Sequence, residues 1–101
     1  MSDLSKFRAE QLQDPEFREH YIQMQAAADF SKAIIAGRLE KDLTQQELSR
    51  LTGIPQADIS RFERCEGNPS LKTMNKLAAG LGLTVRIELV PAESALTGPE
   101  A

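Results

Sequence analysis

Thr44-Gln45-Gln46-Glu47 and Gly53-Ile54-Pro55 leave room for only about two helical turns between them. In the first motif a hydroxyl at the N-cap and a carboxylate at the third helical position can each satisfy the other's open backbone N–H. Gly53 stops the helix after about Thr52, and Pro55, with its fixed φ, opens the next. Thr44–Thr52 and Pro55–Arg64 read as two short helices hinged at Gly53-Ile54, either set at a steep angle to each other or forming an ordinary helical hairpin. Ile59 and Phe62 mark the inward side of the second helix.

The flanks read more simply. Asp14-Pro15-Glu16 starts a helix, with Asp as N-cap, Pro at the first helical position and an acid in the first turn. Phe17, Tyr21, Met24 and Ala28 follow as one apolar stripe. Asp29 either caps a fresh helix through Phe30, Ile34, Ile35 and Arg38 or lies inside a continuous one. After the turn cluster Glu66-Gly67-Asn68-Pro69, Ser70 caps a helix from Leu71 to about Gly80. Leu71, Met74, Leu77, Ala78 and Leu81 are its expected inward residues. Residues 84–90 alternate strictly, with Val85, Ile87 and Leu89 on one face, which predicts a strand. The predicted organisation is an N-terminal extension with the amphipathic helix over 1–28, a helical domain over 29–83, a strand over 84–91 and a disordered tail over 92–101. Residues 1–13 are expected to be loose.

A chain of 101 residues supports one modest core, and a composition 41% hydrophobic and 27% charged is that of a globular protein. One cysteine, Cys65, and one histidine, His20, exclude a disulfide framework or a Cys/His zinc site within the chain. No apolar run approaches the ~20 residues of a membrane span, and the first residues lack a signal peptide's apolar segment. A reduced, cytoplasmic protein is expected. The net charge of −3 is unevenly distributed: residues 1–31 carry −3, residues 32–76 carry +2, and residues 77–101 carry −2. A mildly basic centre lies between acidic flanks.

Leu43-Thr44-Gln45-Gln46-Glu47-Leu48-Ser49, Gly53-Ile54, Ile59-Ser60-Arg61-Phe62-Glu63 and Asn68-Pro69-Ser70-Leu71-Lys72-Thr73 together resemble the Cro/C1-type (XRE) helix–turn–helix family of phage repressors and bacterial regulators. The resemblance covers roughly residues 32–83. It implies an all-α, lambda-repressor-like five-helix DNA-binding domain, here with an N-terminal helical extension and a C-terminal β-strand used for dimerisation. Double-stranded DNA would be the partner, the second short helix lying in its major groove. By that resemblance Thr44 and Gln45 meet phosphate at the start of the first short helix, while Asn68 and Lys72 meet the backbone on the far side. Gln56, Ala57, Ser60 and Arg61 would read bases: Gln56 an adenine edge, Ala57 a thymine methyl, Arg61 the O6 and N7 of guanine. Arg38 and Glu63 hold positions where related repressors place a structural ion pair; alternatively Arg38 binds phosphate. Asp42 and Cys65 stand where the family often has Gly. Asp tolerates the left-handed conformation, and near Cys65 the following Gly67 is available for it. Cys65 itself is expected as a small filler at that turn.

A lone strand needs a partner for its ladder and its apolar face. Either the segment packs along its own domain, or two copies pair antiparallel through Val85, Arg86, Ile87, Glu88 and Leu89, with Arg86 opposite Glu88. A homodimer would suit a palindromic operator, with reading helices about 34 Å apart. Asp14-Pro15-Glu16-Phe17 with Tyr21, followed by Arg38 and the two-helix unit and then by Gly82-Leu83-Thr84 and the expected strand, resembles a narrower group, the HigA-type antitoxins. That resemblance implies a repressor that neutralises a small basic RelE-like ribonuclease toxin and represses its own operon. Phe17, Tyr21 and Met24 would then face the toxin; equally, the rings pack on the chain's own core. A stand-alone regulator and a helix–turn–helix protein-binding module are the alternatives. No paired-carboxylate, Ser/His/Asp or Gly-rich phosphate motif points to an enzyme, and no cofactor, metal or membrane is expected.

Overall fold

The computed structural model describes residue 10 and residues 13–97. Among these residues there are five helices: α1 Pro15–Glu40, α2 Gln45–Thr52, α3 Gln56–Glu63, α4 Leu71–Gly80 and α5 Ala92–Thr97. Residues 27–87 form one unit, and the described residues on either side of it belong to a second.

Helix α1 settles the question left open at Asp29: the helix runs through it. At its start the Asp14 carboxylate accepts from the Glu16 N–H at 3.0 Å, a cap on one of the four open donors. Its end is closed by the Leu43 N–H on the Arg38 carbonyl (2.9 Å) and the Asp42 N–H on the Leu39 carbonyl (3.0 Å). That arrangement requires a left-handed residue, and Asp42 supplies it at φ 58.

Helices α2 and α4 carry side-chain caps. Thr44 Oγ1 accepts from the Glu47 N–H at 3.0 Å, and the Glu47 carboxylate accepts from the Thr44 N–H at 2.9 Å. Ser70 Oγ accepts from the Thr73 N–H at 3.1 Å. Gly53, at φ 77, ends α2 in a conformation that would strain a side-chain-bearing residue. The hinge after it is tied by Ser49 Oγ donating to the Ile54 carbonyl at 2.6 Å.

The core of the 27–87 unit is Ile34 from α1, Leu48 from α2, Ile54 from the hinge, Ile59 and Phe62 from α3, and Leu77, Ala78 and Leu81 from α4 and its end. Phe30 and Leu43 pack against this cluster, and the Phe30 ring meets Phe62 edge-on at 6.2 Å. Burying each such aliphatic side chain contributes roughly 1.5–3 kcal/mol, which is what holds helices of eight residues. Helix α2 packs on both α3 and α4. The α2–α4 contact is close because Gly80 has no side chain: a Cβ there would lie 2.5 Å from Thr52 Cγ2. Leu71, expected inward, is 51% exposed.

Two expectations about the C-terminal region are corrected. Among the described residues there is no β-strand, so the dimerisation strand over 84–91, with Val85, Arg86, Ile87, Glu88 and Leu89 at its contact, does not exist. Alternation specifies which faces a strand would have, but a strand forms only where a neighbour completes its hydrogen bonds, and among the described residues no such ladder is present. Ile87 is 63% and Leu89 94% exposed. Second, the expected disordered tail begins with α5 over Ala92–Thr97. Residues 98–101, like residues 1–9, 11 and 12, lie outside the described residues.

Cys65 differs from its expected role as well. It is exposed, not a filler, and it takes the left-handed position itself at φ 63. The Glu66 N–H on the Arg61 carbonyl (2.8 Å) and the Cys65 N–H on the Phe62 carbonyl (3.0 Å) close α3 around it. A left-handed residue with a Cβ costs about 1–2 kcal/mol, part of which glycine returns as lost chain entropy. Cys65→Gly is therefore expected to raise stability by about 0.5–1 kcal/mol in urea denaturation, and a neutral or lower midpoint would contradict this account of the α3 stop.

Candidate nucleic-acid interface

Two helix surfaces meet at one side of the 27–87 unit. The N-terminus of α2 opens onto a shallow depression lined by residues that include Arg38, Asp42, Thr44, Gln45, Gln46 and Gln56. Unpaired N–H groups at a helix start favour an anion by hydrogen bonding and by the helix dipole. Thr44 is exposed there and Gln45 half-buried.

Helix α3 turns Ile59 and Phe62 into the core, which leaves Gln56, Ala57 and Arg61 exposed on its other side. Ser60 is half-buried, and its hydroxyl accepts from Arg64 Nη1 at 2.5 Å. Arg61 forms an ion pair with Asp58, one turn earlier on the same helix. Arg64 also reaches Glu66 at 3.3 Å. Asn68 and Lys72 are exposed in the following turn and the first turn of α4. Asp58 and Arg64 were missed as members of this surface. Their spacings, three and four residues from their partners, are the helical neighbour distances that would have flagged them.

What fixes α3 relative to the depression is a partly buried polar cluster. Arg38 Nε and Nη2 donate to the two carboxylate oxygens of Glu63 at 2.8 and 3.0 Å, and Arg38 Nη1 donates to the Leu43 carbonyl at 2.9 Å. Gln45 Nε2 donates to the same Glu63 carboxylate at 3.0 Å. Ser31 Oγ, buried in α1, donates to the Glu63 carbonyl at 2.7 Å. Glu63 thus joins the end of α3 to α1 through Arg38 and Ser31, and to the start of α2 through Gln45. Arg38 is engaged on protein groups by three of its donors. Gln45 keeps one amide hydrogen beyond the Glu63 bond, so a phosphate contact and this anchor are compatible.

Elsewhere, the Phe17 and Tyr21 rings stack on each other with centroids 6.5 Å apart, both half-buried, while Met24 is 58% exposed. Among the described residues no group of three or more His, Cys, Asp or Glu could hold a metal ion. No described helix is long and apolar enough to cross a membrane.

Residues 34–87 match the family described as helix-turn-helix, more than half of the chain. The chain belongs to the helix-turn-helix family. It is a non-catalytic DNA-binding domain by that membership, and α2 and α3 are its paired helices. The chain is 31% identical over 86 residues to an uncharacterized HTH-type transcriptional regulator of Haemophilus influenzae, covering 85% of this chain and 84% of that one. It is 31% identical over 88 residues to antitoxin HigA1 of Mycobacterium tuberculosis, 86% of this chain but 59% of that longer one. A third relative, an uncharacterized HTH-type transcriptional regulator of Sinorhizobium fredii, is 42% identical over 53 residues, 52% of this chain and 68% of that one. No solved structure shows significant similarity to the chain.

The cluster makes helix-turn-helix stability depend on pH. Burial pushes the Glu63 carboxyl up, but hydrogen bonds from Arg38 and Gln45 and the Arg38 charge outweigh it and hold it below the ordinary glutamate range. Glu47 is lowered too, by its bonds with Thr44. A carboxyl that titrates lower folded than unfolded contributes fully above the ordinary value of about 4.3 and loses its contribution as pH falls through the folded value. Glu63→Gln is expected to cost about 1–3 kcal/mol at pH 7, because it removes the charge partner of a partly buried Arg38. It should also flatten the loss of stability between about pH 5 and 3. Urea denaturation of both chains across that range measures this, and parallel pH curves would contradict it.

Proposed function

We propose that the chain is a sequence-specific transcriptional repressor that serves as the antitoxin of a type II toxin–antitoxin pair, neutralising a small basic RelE-like ribonuclease and repressing its own operon. The observation that carries this reading is the similarity to antitoxin HigA1, which extends well past the 34–87 stretch matched by the family and so takes in the flanks. Two features support it. Residues 1–31 carry a net charge of −3, suited to a basic partner, and their helix bears stacked Phe17 and Tyr21 and an exposed Met24 as apolar anchors.

On DNA, α3 enters the major groove, with Gln56, Ala57, Ser60 and Arg61 toward base edges and Thr44, Gln45, Asn68 and Lys72 toward phosphates. Repression follows by occlusion of the promoter. A net charge of only +2 over residues 32–76 gives one copy little hold on phosphates, so two copies on a palindrome are the working form. A stand-alone regulator is the second reading. The Haemophilus influenzae relative favours it, because nearly the whole of that protein aligns.

Arg61→Ala should weaken binding to the chain's own promoter by about 1–3 kcal/mol and relax the preference at one base pair. Equal weakening on every duplex in a gel-shift series would assign Arg61 to phosphate. For the antitoxin role, the adjacent gene expressed alone should arrest growth, and co-expression of this chain should rescue it. Phe17→Ala combined with Tyr21→Ala should reduce the rescue while leaving promoter binding intact. A neighbour that is harmless and does not co-purify decides for the stand-alone regulator.

A further inference from the structure

The exposed face of α3 carries an acid, Asp58, where a DNA-reading surface gains nothing from negative charge. An acid there weakens attraction to phosphates on every sequence alike. It does suit the first turn of a helix through the dipole, yet its Oδ1 is turned to Arg61 Nη2, one helical turn on. The pair lies outward, 53% exposed at Arg61 and 34% at Asp58, and is separate from the Arg38–Glu63 cluster on the inner side. A free arginine samples many rotamers and can settle on a phosphate as easily as on a base. Tied to Asp58 through one N–H, its guanidinium keeps the other donors of the fork to offer to guanine O6 and N7.

We propose that Asp58 is a positioning residue for base reading: its carboxylate holds the Arg61 guanidinium in the orientation that meets a base edge, and so sets specificity at the base pair Arg61 addresses. This rests on the reading of Arg61 as a base contact. Asp58 lowers affinity for DNA in general and raises discrimination at one position, a repulsive element against wrong placement of the arginine.

The test uses the full chain, a duplex that the wild type selects from a randomised pool, and all single-base-pair variants of that duplex. Arg61→Ala is expected to lose discrimination at one base pair. Asp58→Ala and Asp58→Asn are expected to lower discrimination at that same pair about five- to tenfold, to leave other positions unchanged and to tighten binding to unrelated duplex. Asp58→Glu, which keeps the charge within reach, should restore part of the discrimination. The double variant Asp58→Ala with Arg61→Ala should discriminate no worse than Arg61→Ala alone. Full discrimination in Asp58→Ala, additive losses in the double variant, or an equal loss at all positions with a lower melting temperature would each overturn the proposal. A wild type that selects no duplex, or a silent Arg61→Ala, overturns the base-reading role first and this inference with it. The two failures are told apart because a failure of this inference alone leaves wild-type selection and the Arg61→Ala loss in place.

Discussion

Glu63 is the residue through which three helices agree on their positions. Its carboxylate takes two donors from Arg38 and one from Gln45, and its carbonyl takes one from Ser31. Helices of eight residues have little stability of their own and no long apolar face to fix their angle. Apolar contacts among Leu48, Ile59 and Leu77 bring them together without specifying rotation. The directional bonds at Glu63 supply that, and they do so at the end of α3 next to the start of α2. A buried charge pair is a poor source of net stability, and its value here is geometric.

Local signals in the sequence were read well and partnered ones were not. The capping box at Thr44 and Glu47, the stop at Gly53 and the Ser70 cap each involve groups within a few residues, so the spacing contains the whole interaction. Asp29 was undecidable for the opposite reason: the same side chain can cap a helix or sit exposed inside one, and packing of Phe30 and Ile34 chose the second. The alternation of Val85, Ile87 and Leu89 describes only one half of an interaction, and among the described residues no strand forms there. Leu71 satisfied the helical period, yet as the first residue of α4 it lies at the end of the buried face and stays in solvent.

The interface shows the same division. Arg38 and Glu63, twenty-five residues apart, were paired only through resemblance to related repressors, since nothing in their spacing links them. Gln45 was expected on phosphate, and its bond to Glu63 could not be foreseen without the fold. Asp58 and Arg61 stand at helical spacing, which alone pairs them. Residue identity suggests what a side chain can touch, and the fold decides what it is already touching.

The left-handed turn at Cys65 acts as a ruler. Eight residues at 1.5 Å each make α3 about 12 Å long. Its start is set by Pro55 and its end by a single left-handed backbone angle, so the length of the exposed face is decided by two residues that lie outside it.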